Sequence, residues 1–291
     1  MKNRLTACFN YIGQDSGFLD IIFSLLPKQG KMFVEPFGGS AVVSLNVAYF
    51  NLYPRVILND LDEKIFAVYV VYKFRPDILN AVSEICKWIA QMDDDTIRFK
   101  LKPTYLKKLK LLIENKTYSN IYFVGFASLL LHVLLDNPFQ KRTHLPRIHC
   151  VNTSKNRYLK LFQRFKKIHH VMQRIEIRRD DAFKLIPELD SKDTVFYIDP
   201  PHLGLDYYFL NFDAIKAIKL AKLLTKCEGK VLVKYSVVDR PAMQVLLNGG
   251  FKIAREVEYT SKSSPTRDRR TYYFLTNYEV KKMVSLTSLV S

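Results

Sequence analysis

Long apolar runs are missing from this chain of 291 residues. None reaches the roughly 18–20 residues that span a bilayer. The opening Met1-Lys-Asn-Arg-Leu-Thr6 lacks the apolar core of a signal peptide, so no membrane is expected. Cysteine is scarce: Cys8, Cys86, Cys150 and Cys227 are scattered, with no C-x-x-C pair. That argues against a disulfide framework and for free thiols in a reducing compartment, the cytoplasm of a bacterium or of a host if the source is viral. Cys150 lies beside His149 and near His144, but no metal-ligand spacing appears and no metal is expected. Internal repeats and low-complexity tracts are also absent. The chain is long enough for one large or two modest domains with a full core.

Acidic residues are few, and the shortage is local. Lys and Arg number 45 against 28 Asp and Glu, a net charge of +17. Between Thr96 and His170 there are 16 Lys and Arg, and the only acids are Glu114 and Asp136, so a quarter of the chain carries +14 of that excess. A Lys-rich composition that merely maintains solubility would be dispersed. Clustering points to a polyanion, because neutralising phosphates releases counterions.

What is present is a βα rhythm. Residues 31–36 read as a strand that leads through Phe37-Gly-Gly-Ser40 into a helical run at 41–49. Strand, glycine turn and helix form the architecture of a nucleotide-type cofactor site. Glycine there lets a ligand approach the backbone. Glu35, just before the turn, would repel a phosphate and attract the ammonium of an amino-acid ligand. That favours S-adenosyl-L-methionine over a dinucleotide, with a solvated strand end as the plainer reading of Glu35. The second strand, 55–60, ends in Asp60, about 20 residues beyond the glycine turn and placed for ribose hydroxyls. Asp62 and Glu63 suit the start of the next helix, where acids favour the dipole.

From Pro76 to about His170 the rhythm is interrupted. Helices are expected at 78–92 and 123–135, with a basic amphipathic helix at 158–167. A basic, aromatic stretch at 98–110 and a polar loop at 137–144 suit contact with phosphates or base edges. The rhythm resumes with a strand at 174–178. Asp181 then either accepts from an adenine amino group of the cofactor or caps a short helix, 182–186, that ends before Pro187. After a strand at 195–199 come a helix at 213–227, a strand at 230–235, a helix at 240–248, and strands at 252–260 and 271–276. A basic loop, 261–270, separates the last two. The expected fold is α/β: a Rossmann-like sheet from 1–75 and 171–291, with a mainly helical inserted recognition domain at 76–170.

The chain is organised around Thr194-Val-Phe-Tyr-Ile-Asp-Pro-Pro-His202. A buried parallel strand runs into Asp199, at the sheet edge where open α/β folds bind ligands. Pro200 and Pro201 make a stiff turn whose carbonyls are acceptors. His202 adds a flat ring. Carboxylate, rigid carbonyl and ring together suit a planar base bearing an exocyclic amine. A capped strand end followed by a turn is the plainer reading.

Taken in order, these segments resemble the Dam-type, or α-group, DNA adenine-N6 methyltransferases, and the likeness spans nearly the whole chain. Tyr11-Ile-Gly13 resembles that family's opening Trp/Tyr-x-Gly, residues 33–45 its cofactor motif, and Asp199-Pro-Pro-His202 its Asp-Pro-Pro-Tyr. The late Thr271-Tyr-Tyr-Phe-Leu-Thr-Asn-Tyr278 also fits. The basic insert corresponds to the target-recognition domain, where the likeness is weakest.

The resemblance implies that Tyr11, Phe37, Gly38, Asp60, Asp181 and Asp199 line the S-adenosyl-L-methionine site. It implies double-stranded DNA as partner, with the adenine flipped out and held by Asp199, Pro200 and His202. Asp199 and the Pro200 carbonyl would accept the amine protons, and the nitrogen would attack the methyl in line without metal or covalent nucleophile. One active site per chain needs no partner subunit, so a monomer or weak dimer is expected, serving restriction-modification, replication marking or a viral genome. His202 stands where the family has Tyr, and Gln14-Asp15 where it has Gly-Lys. Asp15 would thereby lose a contact to DNA or cofactor. N4 of cytosine is the alternative acceptor, and a weakened or inactive DNA-binding protein on the same scaffold is the alternative outside enzymology.

Overall fold

The strands among the described residues are β1 (Met32–Glu35), β2 (Arg55–Asn59), β3 (Ile175–Arg178), β4 (Thr194–Ile198), β5 (Lys230–Ser236), β6 (Lys252–Thr260) and β7 (Arg269–Thr276). In the computed structural model, which describes residues 4–9, 15–91, 111, 120–134, 154–203, 212–260 and 269–280, they form one sheet in the order β3-β2-β1-β4-β5-β7-β6. The first five are mutually parallel, and β7 lies antiparallel between β5 and β6. Each central strand is apolar on both faces, as a covered parallel sheet requires. Side chains alternate with period two: Phe33, Val195, Tyr197 and Leu232 enter one core, and Val34, Phe196, Ile198 and Val233 the other.

The helices are α1 (Leu19–Leu25), α2 (Val42–Tyr49), α3 (Glu63–Phe74), α4 (Pro76–Ala90), α5 (Ile121–Leu134), α6 (Ser154–Met172), α7 (Ala182–Leu189), α8 (Ala214–Leu224) and α9 (Arg240–Asn248). Helices α7, α8 and α9 cover the second face, and the others contribute to the first. Helix α2 is buried from Val42 to Ala48 and α3 from Val68 to Tyr72. They are apolar all round because each is enclosed on more than one side. Helix α3 is covered by α5 and α6, so Leu79, Val82, Leu129, Phe165 and Ile168 join the same core as Phe33 and Tyr72. Helix α6 is amphipathic as expected, with Phe165 and Ile168 inward and Lys166 and Lys167 exposed. Among the described residues no helix is long and apolar enough to cross a membrane.

Most expected elements appear within a few residues of their bounds. One expected stop is overturned: α7 continues through Pro187 to Leu189. Proline removes one helical hydrogen bond, but the burial of Leu185 and Ile186 in the second core carries the helix past it. Tyr11, the stretches 98–110 and 137–144 and the loop 261–268 lie outside the described residues.

Chain order reverses between β1 and β4, the switch point beyond whose carboxyl ends open α/β sheets place their ligand crevice. Helix α5 is held close to α3 at Gly125, where an added Cβ would lie 2.4 Å from the Ala67 carbonyl oxygen and 2.6 Å from Val71. Gly125→Ala is therefore expected to destabilise the protein by about 1–3 kcal/mol. Denaturant unfolding checks this, and an unchanged midpoint would contradict it.

Candidate active site

Strand β1 delivers Glu35 to the start of α2. Ala41, the residue before that helix, has no side-chain acceptor and sits at φ 59°. The Glu35 carboxylate supplies the missing cap instead: Oε2 accepts from the Ser44 amide at 2.9 Å and from the Ser44 hydroxyl. Burial pushes its pKa up to about 8, against those two hydrogen bonds. Glu35 is thus no solvated strand end.

The glycine turn is stitched to the end of β2. Gly38 donates to the Asn59 carbonyl at 2.8 Å, Gly39 donates to Asp60 Oδ2 at 2.9 Å, and the Gly39 carbonyl accepts from the Tyr69 hydroxyl at 2.7 Å. A Cβ on Gly38 would fall 2.4 Å from Leu58 and 2.7 Å from the Tyr69 hydroxyl. The need for glycine at position 38 comes from the protein's own β2–α3 packing. That packing reason stands beside the expected approach of a ligand to the turn. Gly39, at φ 49°, has the conformation that favours glycine. Phe37 is partly buried and meets the edge of Phe212, ring centroids 5.9 Å apart.

Asp60 accepts from Gly39 and, through Oδ1, from the Asp62 amide at 2.9 Å. Burial and the neighbouring Asp62 raise its pKa to about 7. Asp62 caps α3 through the Lys64 amide, as expected. Asp181 caps α7 by accepting from the Phe183 amide at 2.9 Å, the second of its two expected roles. Asn59, which sequence reasoning missed, locks these ends together. Its amide donates to the Pro36 and Asp180 carbonyls, and its oxygen accepts from the Asp180 amide at 2.7 Å. The carboxyl ends of β1, β2 and β3 are therefore one rigid edge.

Asp199 follows β4 at the same edge. Its Oδ2 accepts from Lys234 Nζ at 2.9 Å. Its Oδ1 is shielded from solvent and has no hydrogen-bond partner among the described residues. The Lys234 ammonium also pairs with Asp15, whose other oxygen accepts from the Tyr197 hydroxyl at 2.5 Å. Lys234 is 1% exposed and Asp15 4%. The rings of Phe18 and Tyr272 flank the ammonium, their centroids at 5.2 and 5.3 Å. Burial works against the charge on Lys234, but the two carboxylates outweigh it and raise its pKa. Burial and the nearby Asp199 push Asp15 up to about 7 despite Lys234. The structure thus pairs Asp15 with a lysine from β5, so Asp15 does not lack a cationic contact. A lysine inside the apolar run Val231-Leu-Val-Lys-Tyr235 was the signal that sequence reasoning passed over, since a charge buried there needs a partner.

Pro200 is buried and Pro201 half-buried. His202 is 8% exposed and its ring lies 5.8 Å from that of Tyr272. Its Nδ1 is 2.8 Å from Asp239 Oδ2. Asp239 also accepts from the Leu203 amide at 3.0 Å and from the Ser236 amide at 2.8 Å. Burial opposes its charge, but these hydrogen bonds hold its pKa below the ordinary value. An ionised Asp239 requires a proton on Nδ1, which fixes the ring's orientation. Asp239 was not recognised in the sequence. Among the described residues, no group of three or more His, Cys, Asp or Glu is gathered to hold a metal ion.

Asp15, Glu35 and Asp60 all keep protons to higher pH in the fold than their ordinary values of 3.8, 4.5 and 3.8. In that window the folded state binds more protons than the unfolded chain, so stability falls as pH rises. The melting temperature is expected to decline between about pH 5 and about pH 8. Calorimetric scans across that range check it, and a rising melting temperature would contradict it. The depressed acids Asp20, Asp77 and Asp239 lose their contribution only at lower pH.

Comparison with curated proteins finds none that matches. A family model, described as D12 class N6 adenine-specific DNA methyltransferase, matches residues 11–262. That span holds the glycine turn, Asp60, Asp199-Pro-Pro-His202 and Lys234, and covers most of the sheet. This chain belongs to the D12 class of N6 adenine-specific DNA methyltransferases.

Proposed function

We propose that the methyl donor is S-adenosyl-L-methionine and that transfer is direct, to an adenine swung out of the duplex into the crevice beyond β1 and β4. The observation that carries this reading is Asp199 Oδ1, a solvent-shielded acceptor without a donor among the described residues. An exocyclic amine or an ammonium is the group such an oxygen fits. The donor, when bound, supplies a methyl already activated by its sulfonium.

This chain's residues then hold and orient. Asp60 meets ribose hydroxyls with the lone pairs its two backbone donors leave free. Glu35, capping α2 through Oε2, turns its other oxygen toward an ammonium as an acceptor; its occupation of the start of α2 disfavours a phosphate there, and so a dinucleotide. Phe37 lies against the cofactor's base. Asp181 meets that base's amino group with the oxygen that does not cap α7. Asp199 and the Pro200 carbonyl accept hydrogen bonds from the two N–H groups of the adenine amine, which pulls the nitrogen toward tetrahedral geometry and frees its lone pair. As the N–CH3 bond formed and the S–CH3 bond broke to leave a neutral thioether, the one surplus amine proton would pass to Asp199 and on to water. Pro201 stiffens the turn, and His202, oriented by Asp239, borders the base. Positioning supplies most of the acceleration.

Residues 76–170 form the target-recognition part in this reading. The inner faces of α4, α5 and α6 are spent on the shared core, so contact with phosphate falls to the outward bases such as Lys166 and Lys167. Every chain carries a full set of site residues, and a monomer or weak dimer suffices.

Incubation with duplex DNA and methyl-labelled S-adenosyl-L-methionine, followed by digestion to nucleosides, is expected to give labelled N6-methyladenine. Asp199→Asn should lower the rate on the order of 10²-fold or more. Label in N4-methylcytosine, or a full rate in the folded Asp199→Asn protein, would overturn the reading.

A further inference from the structure

The buried Lys234 is the charged group that the transfer does not use directly. It stands on the face of β5 that looks toward Phe18 and Tyr197, and its single ammonium serves two carboxylates. One, Asp15, belongs to the N-terminal turn and is itself held by Tyr197. The other is Asp199. A pair serving the fold alone would be complete with Asp15 and Lys234. Here the ammonium also takes Oδ2 of the acid that follows β4, while Oδ1 stays without a donor among the described residues.

We propose that Lys234, anchored by Asp15, is a positioning residue for methyl transfer: it holds Asp199 by Oδ2 so that Oδ1 is presented to the exocyclic amine of the substrate base. The inference rests on the reading that Asp199 receives that amine. A carboxylate attached through one χ1 and one χ2 torsion can rotate and present either oxygen. Fixing Oδ2 removes that freedom and selects one acceptor direction.

Asp15 sets how much of the ammonium Asp199 receives. With both acids ionised, three charges share one buried space with Tyr197 and, further off, Glu35, and Phe18 and Tyr272 exclude water from the ammonium. Removing the lysine leaves two carboxylates facing each other, which favours a retained proton. Removing the Asp15 charge leaves the lysine wholly to Asp199. The two changes therefore move the acid limb of the pH–rate profile in opposite directions, which loss of a merely structural bond would not do.

The test is single-turnover transfer of labelled methyl to duplex DNA as a function of pH, with circular dichroism and S-adenosyl-L-methionine titration of each protein. Lys234→Met should lower the rate at neutral pH by about 10²-fold and move the acid limb upward by a unit or more. Asp15→Asn should move it downward. Folded variants with the wild-type rate and profile would overturn the proposal. If Lys234→Met does not fold, Asp15→Asn carries the test alone, and an unmoved or raised limb overturns it. Wild-type protein with no transfer to adenine would instead refute the reading of Asp199, whatever the variants do.

Discussion

An ammonium enclosed by two carboxylates and two aromatic rings ties together two central strands and the segment that precedes α1. Lys234 joins β5 to the N-terminal turn through Asp15 and to the end of β4 through Asp199. Taking these charges out of water is costly, and the pairing does not in itself make the fold stable. What it does is make the position of each partner depend on the others. If the lysine shifts, Asp15 becomes an uncompensated buried charge and Asp199 regains its rotational freedom. The cation, the Tyr197 hydroxyl and the ring pair of Phe18 and Tyr272 thus bind the strand edge to the segment that precedes α1.

The rest of the edge is built on the same economy of polar groups. Asn59 spends its amide on three backbone groups from two neighbouring strand ends. Glu35 caps a helix whose own N-terminal residue cannot. Asp60 holds the glycine turn and the entry to α3 with separate oxygens. Glu35 and Asp60 each accept two hydrogen bonds from the protein, so the strand ends on which the proposed chemistry would sit form a rigid frame. It also stores protons on buried carboxylates near neutral pH, which links stability to the ionisation of the site.

Much of the fold was legible in the sequence because the central strands are apolar on both faces and end in polar turns. The bounds of β6 and α9 coincide with the periodic pattern, and the parallel order follows from strand–helix alternation. Pro187 was misread because a local rule about proline competes with burial of Leu185 and Ile186, which only the tertiary structure shows. In the site, Glu35, Asp60 and Asp199 were legible because strand ends expose them to motif reasoning. At Gly38 the sequence could not show that its missing Cβ also makes space for Leu58 and Tyr69. Lys234, Asn59 and Asp239 were invisible as site residues because their partners lie 219, 121 and 37 positions away in the chain. No local pattern records which buried carboxylate a lysine will find. At Asp15 a comparison of residue types reads a lost contact to DNA or cofactor, and its pairing with Lys234 could not be seen from the sequence.

The account turns on which group Asp199 Oδ1 accepts from. A crystal structure of the protein with duplex DNA and an unreactive analogue of S-adenosyl-L-methionine decides it most directly. The predicted result is an extruded adenine whose N6 lies about 2.7–3.2 Å from Oδ1, with Lys234 still on Oδ2. An adenine left stacked in the helix above a filled cofactor site, or an Asp199 whose Oδ1 is satisfied by the protein itself, would contradict it.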